Sequence, residues 1–350
     1  MATCCRFRLA SAEWGRLFGS ADSAGRLPPL MTSPLAEPDW QHAGREPDFA
    51  LPLPQGGAML FRRIPAGSFP MGARGFDARE EPVHRVVISH DFYLGKFVVT
   101  QAEWRAVAAL DAPLAREPGL VPSRFKGERR PVTDVSWHDA VAWIRVWKQW
   151  LETERATAWP LAGQAGAWAP RLPTEAEWEY ACRAGSRTDY YNGDGKAALG
   201  AVGRFEEAGA TGTRSVDAYP ATGPDCHPAK LAGLHGNVWQ WCLDHHHDDT
   251  YRRRVDGVAD PVETRDSQTR VLRGGAWGGS AWGCGSACRY RGHPDDRSWI
   301  QGFRVCLAPG PAAAGSDSKQ TDHAEAGQDG QDAGRQGRSR ARPGPPERAR

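Results

Sequence analysis

The sequence predicts an α+β domain with little regular secondary structure, and three observations carry that prediction. β-Branched and aromatic runs come first, capped helices follow, and the rest is punctuated by Gly, Asp and Pro. Strands, then helices, then long irregular connections do not build a βαβ sheet. Fifteen tryptophans outnumber both phenylalanine and tyrosine, and 40 of the 350 residues are glycine. Such a chain suits an irregular backbone packed by large aromatics.

Residues 1–56 are rich in Pro, Ala, Gly and charge, and read as a weakly ordered leader, with Met31 an alternative start. A single domain over 57–308 follows. Segments 61–64, 83–88 and 92–99 read as short strands bounded by Gly, Pro or Asp. Three helix starts then share one device: Thr100 with Glu103, Ser136 with Asp139, and Thr174 with Glu177. In each, the hydroxyl can accept from a free N–H while the acid answers the cap's own N–H. The second helix carries one apolar stripe through Trp137, Val141, Ile144, Trp147 and Leu151. The third stops near Gly185, a left-handed cap. Trp104, Trp137 and Trp178, just inside the three caps, are expected in the core. Further short strands are expected near 236–241, 270–273 and 302–306. Residues 309–350 hold almost nothing large and apolar and read as a disordered basic tail, with six arginines against one glutamate in 335–350.

Composition excludes several classes. A net charge of +2 gives no global case for nucleic acid, leaving only the basic tail for such a contact. No stretch reaches a membrane span, and the start has no apolar signal core. The eight cysteines form no CxxC pair and no zinc spacing, so they read as thiols of a reducing, cytoplasmic setting.

Six phrases occur in order: IPAGSFPMG, VVISHDFYLGKFVVTQAEW, PVTDVSWHDAVAW, RLPTEAEWEYACRAG, GLHGNVWQWC and RVLRGGAW…GFRV. As a set they resemble the formylglycine-generating, or sulfatase-modifying-factor, family. The resemblance implies a C-type-lectin-like fold with a functional surface near the C-terminus. It also implies an oxidase that binds copper(I) through two cysteines after the RGG phrase. Soft thiolates select copper(I). Counting forward from Arg273, those positions are Gly279 and Cys284, so the first thiolate is missing. Cys284 and Cys288 are the candidate catalytic thiols if the chain is nevertheless an oxidase. GNVWQW resembles a family calcium phrase, which makes Asn237 and Gln240 the candidate calcium residues. Gln240 stands where a glutamate would supply charge. The run of His245, His246 and His247 reads as a solvated loop. The ergothioneine-type branch needs a further helical domain that this leader does not supply.

The middle of the last phrase, 277–301, has no helical or strand period. Its Trp, Tyr, Ser, Gly and His are those of a paratope held between rigid anchors. Relatives without the copper pair resemble this pattern, among them the variable proteins of diversity-generating retroelements. The leading expectation is therefore a binding protein for a protein or glycan ligand. Its contact residues would be Ser280, Trp282, Tyr290, His293, Asp296, Ser298, Trp299 and Gln301, with Trp277 in the core. The alternative is the copper-dependent oxidase. An accessory domain of a kinase or sulfatase system is a third, weaker reading.

Overall fold

The computed structural model describes residues 38–46, 48–154, 168–206, 211–219 and 226–309. Residues 1–37 of the expected leader and the tail from 310 lie outside them. Residues 38–46 and 48–56 of that leader are built into the domain, which moves its start ahead of 57. Helix α1 (Trp40–Arg45) is capped by Asp39, and strand β1 (Phe49–Pro52) pairs antiparallel with β2 (Ala58–Ile64). The reason is long-range. The buried Arg62 guanidinium donates to the carbonyls of Ala43, Glu46 and Ala229 and to Asp48, so it ties α1 and β1 to the far side of the chain.

Strands β3 (Gly67–Met71), β4 (His84–Ile88) and β5 (Phe92–Gly95) follow. Helix α2 (Gln101–Ala108) starts at Thr100 with the full capping box. Helix α3 (Trp137–Glu154) starts with the reciprocal Ser136–Asp139 bonds, at 2.8 and 3.1 Å. β6 (Trp168–Arg171) leads into α4 (Glu175–Arg183), whose box joins Thr174 and Glu177. α4 ends as expected, with Ala184 and then Gly185 left-handed. After α5 (Gly195–Val202) come β7 (Trp239–His245), β8 (Val258–Ala259), β9 (Arg270–Arg273), β10 (Tyr290–Gly292), β11 (Gln301–Phe303) and β12 (Cys306–Pro309).

The strands make three sheets, ordered β1-β2-β5-β12-β6, β10-β9-β7-β11 and β3-β4-β8. The stretch 302–306, expected as one strand, divides between two of them, with Gly302 and Phe303 in β11 and Cys306 in β12. β11 runs parallel to β7, whereas β12 lies antiparallel between β5 and β6. The change of sheet falls at Arg304. Its buried guanidinium donates to the carbonyls of Gly95, Lys96, Ala232 and Gly233 and to Gln240 Oε1.

One apolar cluster surrounds α3 and mixes Phe61 and Trp143 with Trp241 and Phe303. A second surrounds α4 and mixes Ile64 and Val86 with Leu234 and Val271. Early and late chain segments share both cores. Trp104, Trp137 and Trp178 are buried, as their cap positions predict. Their indole N–H groups donate to Gly119 O, Cys242 O and Gln240 Oε1, and those of Trp143, Trp147 and Trp241 reach the carbonyls of Trp104, Pro52 and Val135.

Candidate binding surface

The RGG turn fixes the start of the loop. Gly274 and Gly275 are left-handed, and a Cβ on Gly275 would lie 2.5 Å from Cys284 Sγ. Arg273 donates through its buried guanidinium to the carbonyls of Ser286, Ala287 and Cys288 and to Glu179. Arg289 beside it holds Glu175 through both carboxylate oxygens, at 2.6 and 2.9 Å. Burial alone would raise the Glu175 carboxyl; Arg289 and Arg273 instead bring it down to about 2. The inner half of the loop is therefore clamped by buried ion pairs.

The outer half is presented. Trp282, Tyr290 and Trp299 are 42%, 46% and 37% exposed, which is unusual for side chains of this size. Trp239 of β7 links them. Tyr290 stacks on it with ring centroids 5.0 Å apart. Gly283, next to Trp282, faces the Trp239 ring edge, and the Trp239 backbone N–H donates to the carbonyl of Ile300, next to Trp299. Trp299 also packs against Trp277 at 5.1 Å and Phe125 at 6.0 Å, with the Arg124 guanidinium over its ring. Phe125, Arg124 and Trp239 escaped the sequence reading. PSRFKGERR carries no period, and Trp239 looks like any strand tryptophan.

The other expected contact residues divide. Ser280, His293 and Asp296 are exposed. Asp296 accepts from the His293 backbone at 3.1 Å, which shapes the turn. Ser298 is half-buried, and its carbonyl accepts from Asp134 and Gln301. Gln301 is buried, not exposed, because β11 sets it beside β7. Trp277 is buried as expected. Two buried atoms here have no partner: Trp277 Nε1 and Gln301 Oε1.

The candidate metal residues do not fit their ions. Asn237 Oδ1 accepts from the Arg214 N–H and its Nδ2 donates to the Arg214 carbonyl, at 2.9 and 3.2 Å. Gln240 Oε1 accepts from Trp178 and from the Arg304 guanidinium. Both carboxamides are consumed by the scaffold, and a guanidinium 3.0 Å away opposes a cation. Cys284 packs with Tyr190 and Leu199, whereas Cys288 joins the cluster around α3. Burial pushes both thiols up to about 12, so neither rests as a free thiolate. The first family position, Gly279, offers only a backbone carbonyl, which accepts from Glu206. In the histidine run, His245 and His247 bond Ser267 and Arg265 carbonyls and His246 is buried, so the run is packed and not a free loop. Among the described residues no group of three or more His, Cys, Asp or Glu could hold a metal.

Three sheets around two interleaved cores, with a long loop clamped at its base, define a C-type-lectin-like scaffold of the formylglycine-generating kind. Residues 54–309 match the Sulfatase-modifying factor enzyme 1-like domain, and the chain belongs to that family. It is 31% identical over 221 residues to the formylglycine-generating enzyme of Mycobacterium tuberculosis, covering 51% of this chain and 71% of that one. It is 28% identical over 217 residues to the chaperone protein LppX of Paenibacillus barcinonensis, covering 53% and 69%. Among solved structures, Treponema denticola variable protein 1 aligns with a TM-score of 0.61 at 23% identity, over 75% of this chain and 99% of that chain. No helix among the described residues is long and apolar enough to cross a membrane.

Proposed function

We propose that this chain is a ligand-binding member of the family, presenting the 277–301 loop to a protein or glycan, and that it does not oxidise sulfatase cysteines. One observation carries the reading. Trp282, Tyr290 and Trp299 stand exposed around Trp239, with Trp277 Nε1 and Gln301 Oε1 buried and unpartnered beside them. An unpaired buried polar group costs about 1–3 kcal/mol. The six core tryptophans named above all avoid that cost. Both atoms are closed off from solvent, so a ligand would remove it by displacing the covering side chains and bringing an acceptor and a donor. The described cysteines are free thiols, which supports a cytoplasmic setting.

The test has two arms. Purified protein is screened on arrays of immobilised glycans and surface proteins, and any hit is titrated with the Trp299→Ala variant. The expected loss is about 2 kcal/mol or more, as for an aromatic hot spot, with folding unchanged. In the second arm the protein is titrated with copper(I) and incubated aerobically with a CxPxR sulfatase peptide. One tightly bound copper, lost in Cys284→Ser, together with conversion of the peptide, would sink the reading. A retroelement origin predicts a reverse transcriptase gene nearby, with an adenine-rich near-copy of the segment encoding 277–301.

A further inference from the structure

A cleft of about 510 Å³ opens behind the loop, between residues 70–80, 183–196 and 281–288. Its volume is that of a small-molecule site. Trp282, Phe76 and Tyr190 supply apolar wall. Arg183, also in the lining, is already held by Glu179 and the Gly72 carbonyl. Arg74, Arg187 and Lys196 are exposed in the lining and make no ion pair among the described residues. The lining acids are Asp189 and Glu80. Glu80 is 2% exposed, and its Oε1 has no hydrogen-bond partner.

We infer that this cleft binds a small organic carboxylate, its apolar body against Trp282, Phe76 and Tyr190 and its charge among Arg74, Arg187 and Lys196, with the Glu80 carboxylic acid donating a hydrogen bond to it. A neutral ligand leaves three cations without counterions. A cationic ligand meets their repulsion at the rim. The charges facing Glu80 are Arg273, Arg79, Glu179 and Asp77, with the Cys288 thiol nearby. Arg273 is bound to Glu179 and Arg79 to Asp77, so neither arginine is free to neutralise Glu80. Burial, first among its causes, raises the carboxyl to about 7, which keeps a donating acid present at neutral pH. A carboxylate ligand then binds through that proton, and affinity falls as pH rises through 7. The cleft shares Trp282 with the 277–301 surface, but the charges that select the ligand, Arg74, Arg187, Lys196 and Glu80, lie outside that loop, so the two readings are tested separately.

The probes are 3-phenylpropanoate, 3-phenylpropan-1-ol and 3-phenylpropylamine, titrated calorimetrically against the full chain. The acid is expected to bind about tenfold or more tightly than the alcohol, and the amine not at all. Reversing both exposed cations, in Arg187→Glu with Lys196→Glu, removes the preference for the acid. Affinity for the acid weakens toward about tenfold per pH unit above 7, the slope of one linked proton. Glu80→Gln keeps a donor at every pH and flattens that profile. Equal binding of acid and alcohol, indifference to the double reversal, or no saturable binding of the acid would each overturn the inference.

Discussion

Gly275 stands at φ +78°, and a Cβ there would meet Cys284 Sγ at 2.5 Å and the Gly283 carbonyl at 2.8 Å. Backbone conformation and space both demand glycine. Gly275→Ala is expected to lower unfolding free energy by about 2–5 kcal/mol, combining left-handed strain with overpacking. Gly278, with open space around it, is the control. There the same change should stay within about 0.5 kcal/mol in denaturant titrations. A second residue-scale prediction concerns acid. His235 is fully buried as a neutral ring, with one nitrogen on the Cys284 carbonyl and the other accepting from the Tyr191 N–H. Burial, ahead of every other cause, lowers it to about 4. Protonation would turn that accepting nitrogen against an N–H. Because the folded value lies below the ordinary 6.5, the contribution is complete above pH 6.5 and is lost as pH falls toward 4. The melting temperature should decline over that window, and His235→Gln should make the decline shallower. An unchanged slope in the variant would remove His235 as its source.

Helix starts were legible in the sequence because a capping box is local: hydroxyl and acid lie three residues apart, and all three pairs close in the structure. The box at α4 has an added task. Glu177 also takes both terminal nitrogens of Arg171 at 2.7 Å, joining the helix to β6. Thr174→Ala should therefore cost about 1–2 kcal/mol, the loss of a cap. Glu177→Ala should cost more, about 2–4 kcal/mol, since it also leaves the half-buried Arg171 without its carboxylate partner. Equal effects in thermal melts would show that the ion pair adds nothing. What the sequence concealed is non-local. β1 looked like leader because its anchor, Arg62, closes on Ala229, 167 residues away. Residues 302–306 looked like one strand because period says nothing of which sheet receives each end. The exposed aromatics of 277–301 were visible as residue types, but Phe125 and Arg124 beneath Trp299 come from another loop altogether. The cleft behind the loop is assembled from three distant segments, none of which has a motif of its own.

At the scale of the molecule, the decisive question is whether two apolar clusters behave as one body. Each contains early and late segments of the chain, so neither can complete itself without the other's connections. The strongest of these is Arg304. Its guanidinium joins the loop after β5, the 232–233 turn and Gln240 of β7, and it lies where the chain passes from β11 to β12. Burial draws its ionisation down to about 9, and the acceptors around it hold the charge in place without a carboxylate. Arg304→Met fits the volume but leaves those acceptors bare, in a site too dry to rehydrate them. The expected loss is about 3–5 kcal/mol, the range for breaking a buried charge network. Trp143 lies in one cluster and Trp178 in the other. Since the clusters share β-strand connections on both sides of Arg304, wild type and variant should each unfold in a single transition, the variant at lower temperature. Far-ultraviolet dichroism and tryptophan fluorescence should report the same midpoint. Two separated midpoints in the variant would mean that Arg304 couples two cores able to stand apart, and the single-body description would fail there.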